Sequence, residues 1–110
     1  MKTAAFLENL EYNEEKVAVS LLLETDFSKE IRIVFKKNQV MKDHKAPYPI
    51  VVQVLEGSID FGVKNEVKRL NSGGMISLEA KAIHNLTALE DSVVRLTLPK
   101  SDSVNRVKAV

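Results

Sequence analysis

Histidine is the residue type here best suited to chemistry near neutral pH, and the chain has only two, His44 and His84. An imidazole changes charge near neutrality, so each can be a metal ligand, a general base or a polar contact to a bound molecule. The chain has no cysteine, which excludes disulfides, zinc–thiolate sites and cysteine nucleophiles. We find no glycine-rich phosphate loop, nucleophile elbow or paired-histidine helix motif. The chemistry therefore depends on which elements carry the two histidines.

Short apolar segments with alternating side chains recur along most of the chain. Residues 30–35 place Ile31, Ile33 and Phe35 on one face, which is typical of a half-buried strand. The other predicted strands are 17–23, 50–55, 58–63, 66–70, 75–79, 83–89 and 93–98. The run Asn-Ser-Gly-Gly at 71–74 is the strongest turn signal between them. Short strands without a long helical pattern predict an all-β fold, either a sandwich or a barrel.

Length and charge limit the organisation of the chain and the classes of partner. The 110 residues predict one domain, with a core at about 15–99, an N-terminal arm at 1–12 and a C-terminal tail at 100–110. The tail is expected to form one short helix or to be disordered. Sixteen basic and fifteen acidic residues give a charge of +1, which argues against a nucleic-acid partner. No segment approaches the roughly 20 apolar residues of a membrane span, so we expect no membrane partner and a cytoplasmic location.

Two segments of the sequence resemble the two motifs of the cupin family. His44 falls on the first histidine of the first motif, and Gly57 falls on its closing glycine. Gly73 and His84 match the first glycine and the histidine of the second motif, and the hairpin between the motifs, 58–72, has a typical length. This resemblance implies a small RmlC-like cupin, an all-β double-stranded β-helix (jelly-roll) barrel. It also implies a site at the barrel mouth that includes His44 and His84.

The sequence departs from the cupin motifs where the family binds its metal ion. A typical cupin holds one divalent metal with three histidines and a glutamate, but Ala46 and Ile50 stand at two of those four positions. Two imidazoles alone seldom hold a metal tightly, because a catalytic site usually has at least three protein ligands. No cofactor is therefore certain, and one divalent metal ion on His44 and His84 stays an alternative. Further ligands would have to come from residues that do not stand at the motif's ligand positions: Tyr48, Gln53 and Glu79.

The candidate ligand-binding residues surround the two histidines in the expected barrel: His44, Ala46, Ile50, Val52, His84 and Leu86. His84 shares the parity of Leu86 and should point inward, either as a site residue or as a core histidine bonded to a backbone carbonyl. His44 is either a site residue or an exposed histidine of the loop 42–45. Met41 and Met75 are expected to pack in the core, with a place in the cavity lining as the alternative. Arg95 is expected to be exposed or at an interface, with a bound ligand carboxylate as the alternative.

Three hypotheses for function follow, in this order. The first is a non-catalytic barrel that binds a small apolar or amphipathic molecule. The second is a metal-dependent enzyme with a reduced site on His44 and His84, so whether the chain is an enzyme stays open. The third is a structural or sensory module that acts as a homodimer through the apolar face of 17–23 and the segment Phe6 to Tyr12.

Overall fold

A computed structural model describes all residues from Met1 to Val110, which form nine strands and one short helix. In chain order the strands and the helix are β1 (Ala18–Glu24), β2 (Ser28–Phe35), β3 (Val40–His44), β4 (Ile50–Glu56), β5 (Ser58–Val63), β6 (Glu66–Asn71), β7 (Met75–Leu78), β8 (His84–Ala88), β9 (Ser92–Pro99) and α1 (Val104–Lys108). The single helix has five residues and is too short to span a membrane.

The strands form two antiparallel sheets that pack face to face. The five-stranded sheet has the order β1-β2-β9-β4-β7, and the four-stranded sheet has the order β3-β8-β5-β6. Strand β9 pairs with β2 on one side and with β4 on the other. Strand β5 pairs with β6 through a two-residue turn at Lys64 and Asn65, both with positive φ, as tight hairpins require. The all-β prediction is therefore confirmed, and the arrangement is a jelly-roll barrel.

Alternation along the strands produces one hydrophobic core between the two sheets. Ile31, Ile33 and Phe35 of β2 all point into it, as their spacing predicts, and Phe61 of β5 is fully buried opposite them. Seventeen buried apolar residues form one continuous cluster. Because the cluster includes residues from nearly every strand, the two sheets depend on each other for burial.

The structure contains one strand that the sequence patterns do not predict, β3. Only Met41 of its five residues is buried, so the segment lacks the apolar alternation that marks the other strands. Strand β3 pairs with β8 alone, and the register shifts by one residue between Met41 and His44. A β-bulge of this kind turns the following side chains to the opposite face of the sheet. His44 therefore lies at the end of a strand and not in a loop.

The N-terminal arm crosses the outer face of the five-stranded sheet. Arg32 of β2 donates hydrogen bonds from its Nη1 atom to the carbonyls of Phe6 (3.4 Å) and Glu8 (2.9 Å). The guanidinium of Arg95 lies 6.0 Å from the centre of the Phe6 ring, within the range of a cation–π contact. The opposite, inner face of this sheet carries the core, so the arm and the barrel interior lie on different sides of one layer.

Candidate functional site at the barrel mouth

The two histidines meet where β3 and β8 pair. His44 ends β3 and His84 begins β8, and the two residues lie directly opposite each other in the register. Their ring centroids are 4.1 Å apart, with the planes inclined at 60°. The ring of His84 also stacks on Phe61, at 5.5 Å between centroids and 6° between planes. The fold therefore brings together two side chains that are 40 positions apart in the sequence, and it holds one of them against the core.

Hydrogen bonds to backbone carbonyls fix the tautomer of both histidines. Nδ1 of His44 lies 2.6 Å from the carbonyl oxygen of Lys42, and Nδ1 of His84 lies 2.8 Å from that of Ala82. A carbonyl oxygen can only accept, so each Nδ1 carries the proton and donates it. In the neutral ring each Nε2 then holds a lone pair, and neither Nε2 has a hydrogen-bond partner within the protein. The barrel mouth therefore presents two hydrogen-bond acceptors that have no donor partner within the protein.

Apolar side chains from both sheets surround the two histidines and leave a cavity of about 20 Å³. This volume has room for about one water molecule. The lining residues are Ile33, Met41, His44, Ile50, Val52, His84, Leu86, Leu96, Arg106 and Val107. Five of the six residues expected at the site are among them. The sixth, Ala46, is buried in the adjoining core at 3% exposure, and its carbonyl accepts a hydrogen bond from the amide of Lys81.

Two lining residues that the sequence patterns do not indicate come from the C-terminal helix. Val107 is 2% exposed and belongs to the core cluster. Arg106 donates to both carboxylate oxygens of Asp102, at 2.9 Å each, and its Nη1 lies 3.5 Å from the carbonyl of Lys45. The only sequence signal for these contacts is the spacing of Val104 and Val107, which places both on one face of a helix.

Burial is the main influence on the protonation of the histidines. It lowers the pKa of His44 and of His84 below the ordinary value of 6.5, because the charged ring loses its hydration. The backbone hydrogen bonds oppose this shift in part, and the positive charge of Arg106 adds to it. Asp43 favours the charged form of both rings, and His44 disfavours that of His84. Both rings are therefore neutral at physiological pH.

The lowered pKa values predict that acid destabilises the protein before its carboxylates titrate. As pH falls through the ordinary histidine value of 6.5, the unfolded chain takes up protons on both histidines more readily than the folded chain does. Stability is therefore fully present above pH 6.5 and falls as pH drops, with a loss on the order of 1 kcal/mol expected from urea unfolding at each pH. The variant H44N/H84N should show little slope in this range. An unchanged slope in that variant would assign the effect to other groups.

The donor set does not fit the metal ion that cupins commonly hold. No three His, Asp or Glu side chains lie close enough together to share one ion. The positions of the remaining motif ligands are filled by Ala46 and Ile50, which are buried and apolar. The guanidinium of Arg106 lines the same cavity and would repel a cation. We therefore derive no chemistry that passes through a metal ion.

The residues considered as extra ligands lie away from the histidines. Tyr48 is 39% exposed, and Glu79 lines a separate cleft on the outside of the five-stranded sheet. Gln53 pairs with Arg95 and lies on the outer face, because its neighbours Val52 and Val54 are buried in the core. Met41 lines the cavity and is buried, whereas Met75 is 58% exposed. The expectation that Met75 packs in the core is therefore wrong, because β7 is an edge strand and turns this side chain outward.

Arg95 has a carboxylate partner from the protein itself. Its Nε donates at 3.0 Å to Glu30 of the neighbouring strand, and the arginine side chain is 42% exposed. Ser28 (2.9 Å) and Thr97 (2.5 Å) also donate to this carboxylate, which is only 8% exposed. Burial alone would raise the pKa of Glu30, but these three hydrogen bonds outweigh it and lower the pKa below its ordinary value. The contacts of Arg95 and Glu30 are therefore explained by hydrogen bonds within the protein itself.

Comparison with solved structures shows that the chain has the cupin fold. An RmlC-like cupin protein from Desulfovibrio desulfuricans superposes with a TM-score of 0.81 at 22% identity, covering 91% of this chain and 97% of that one. A double-stranded β-helix protein from Klebsiella pneumoniae gives 0.80 at 17% identity, with 94% of each chain covered. An RmlC-like cupin from Shewanella frigidimarina gives 0.76 at 17% identity, covering 92% and 93%.

Comparisons of the sequence itself give no further assignment. No family model matches the chain, and no curated protein matches it significantly. At the identities seen among the solved structures, the likeness concerns the fold, and a fold hosts many functions. The function must therefore be argued from the residues at the barrel mouth.

Proposed function

We propose that this cupin barrel binds a small amphipathic organic molecule at its mouth, with the polar end of the molecule on His44 and His84. The observation that carries the proposal is the pair of neutral imidazoles whose Nε2 atoms lack partners inside an apolar lining. Two such acceptors favour a ligand that brings a hydrogen-bond donor, because each Nε2 lone pair has no donor partner within the protein. The surrounding Ile50, Val52 and Leu86 favour an apolar remainder.

The chemical class that fits is an alcohol or an acid with a short apolar body. A hydroxyl group donates directly to an Nε2 lone pair. A carboxylate has no proton to donate, so it requires uptake of one proton by an imidazole, giving a charge-assisted pair. The two imidazoles are held by backbone carbonyls, so they are already oriented before a ligand arrives.

The test is an NMR titration with 1-hexanol and with hexanoate, observing the imidazole nitrogens of protein labelled with ¹⁵N. We expect both probes to shift the Nε2 resonances of His44 and His84, and hexanoate to do so with proton uptake. H44N/H84N should bind at least about tenfold more weakly, since removal of a polar partner costs on the order of 1.4 kcal/mol. The control variant is Q53A, whose side chain lies on the opposite face of the sheet and which should bind normally.

Two results would contradict the proposal. The first is unchanged Nε2 resonances in every form of the protein at millimolar concentrations of both probes. The second is stoichiometric binding of Zn²⁺ at micromolar or lower concentration that H44N/H84N abolishes, because this would favour a metal-dependent role for the same residues.

A further inference from the structure

We propose that residues 101–110 form a displaceable plug that competes with the ligand for the barrel mouth. This inference rests on the proposed function and concerns the regulation of the same site. Val107 is 2% exposed and stands in the lining of the cavity beside both histidines. The remaining 20 Å³ accommodates about one water molecule and no larger ligand. A six-carbon alcohol therefore requires Val107 to leave.

The plug is attached to the barrel by few contacts. Val107 is the only buried residue of α1. The polar ties to the barrel are few. The Nζ atom of Lys29 donates to the carbonyls of Lys100 (2.8 Å) and Asp102, the amide of Asp102 donates to the carbonyl of Pro99 (3.0 Å), and Arg106 lies 3.5 Å from the carbonyl of Lys45. A segment with little buried apolar surface opens locally at much lower free energy than the strands of a core.

The plug keeps its own hydrogen bonds when it moves. The two bonds between Arg106 and Asp102 lie within the segment, and so does the cap that Ser103 provides to the amide of Asn105. Opening therefore breaks the ties to Lys29, Lys45 and Pro99. It also removes the packing of Val104 and Val107 against the core cluster. The segment can leave as one unit, with no buried carboxylate left unpaired behind it.

A wider space lies on the outer side of the plug. A groove of about 510 Å³ runs between the edge strands β1 and β3, and Val107 and Val110 are part of its wall. Met41 lines both this groove and the cavity at the histidines. Removal of Val107 therefore joins the two spaces and gives a ligand a route to His44 and His84. Under this arrangement the apparent affinity equals the intrinsic affinity multiplied by the open fraction.

Binding of 1-hexanol to three forms of the protein tests the plug. In V107D a charge replaces the buried methyl groups, which should displace the segment, and we expect binding at least about tenfold tighter than in the wild type. The matched control is N105D, which adds a negative charge at an exposed position of the same helix and should bind as the wild type does. Deletion of 101–110 should reproduce V107D, and circular dichroism with urea unfolding will show whether each barrel stays folded.

Tryptic cleavage after Arg106 can be measured on the wild-type protein, so this test does not require any variant to fold. The adjoining Val107 is buried, so cleavage of wild-type protein reports the open population. Competition predicts that 1-hexanol speeds this cleavage several-fold while leaving a reference peptide unaffected. Slower cleavage with 1-hexanol would mean that the helix and the ligand bind together, and it would overturn the plug. If the wild type binds 1-hexanol through its histidines and V107D binds no more tightly, the plug is also overturned, but the proposed function stands. No binding by any form would overturn both.

Discussion

Replacement of Gly57 by alanine is expected to lower the free energy of unfolding by about 4 kcal/mol. Gly57 has φ of +95° in the turn between β4 and β5, a conformation that side chains rarely adopt. An added Cβ would lie 2.2 Å from Oγ of Ser92, 2.6 Å from the carbonyl oxygen of Asp91 and 2.7 Å from Cα of Ser92. The clash involves backbone atoms at the start of the central strand β9, so it cannot be relieved by a rotamer change. Urea unfolding followed by circular dichroism measures the loss.

Gly73 provides the matched control for this substitution. Its φ is +91°, nearly that of Gly57, but a Cβ added to Gly73 would have no atom within 4 Å. Gly73→Ala therefore reports the backbone strain alone, about 1–2 kcal/mol. The difference between the two variants isolates the steric conflict at β9. Equal losses in both would show that the turn can move away from Ser92 and that the close approach is not a constraint.

Glu30→Gln is expected to cost on the order of 2 kcal/mol, because it replaces a buried carboxylate that accepts three hydrogen bonds. The lowered pKa of Glu30 adds a dependence on pH. Its stabilising contribution is present above the ordinary value of 4.5 and is lost as pH falls further. The variant should lack this loss. Urea unfolding at about pH 7 and at about pH 4 measures both effects.

Asp60→Asn is the control for Glu30→Gln. Asp60 also accepts hydrogen bonds from an arginine on a neighbouring strand, Arg69, but the arginine side chain is 62% exposed. Exposed ion pairs contribute little, since water and salt screen them. Asp60→Asn should therefore lose clearly less stability than Glu30→Gln at pH 7. Similar losses would indicate that burial of the carboxylate does not determine its contribution.

The strands of the core could be predicted from the sequence because their residues alternate. In segments such as 30–35 and 59–63 the side chains that join the core cluster stand at every second position, and that spacing is visible without a structure. Strand β3 could not be predicted in this way, since it contributes only Met41 to the core and forms by pairing with β8. This strand forms through tertiary contacts, which a local sequence pattern does not show.

The candidate site was predictable only in part, and the bulge in β3 explains why. Counting by two from the inward-facing Met41 reaches Asp43, so regular alternation would turn His44 outward. The register shift between Met41 and His44 reverses this, and His44 meets His84. The position of His44 was available from the resemblance to the cupin motifs but not from periodicity. The prediction for His84 is different, because β8 is regular and its inward parity is confirmed by an exposure of 3%.

The roles of Arg106 and Val107 could not be predicted from sequence patterns, for a different reason. Their helix has five residues and buries one side chain, so neither amphipathicity nor length distinguishes it from a disordered tail. The contact with the barrel mouth depends on where the chain emerges after β9. Only the three-dimensional arrangement shows that these residues and the histidines line the same cavity.

The central position of β9 has a consequence for the kinetics of folding. This strand joins β2, about 60 residues earlier in the chain, to β4, so the five-stranded sheet cannot close before residue 99 is available. Pairing strands so far apart in the sequence costs a large amount of chain entropy before any stabilising contact forms. During synthesis the apolar strands β2 and β4 therefore have unpaired edges until β9 is synthesised. That interval is when the chain is most exposed to aggregation.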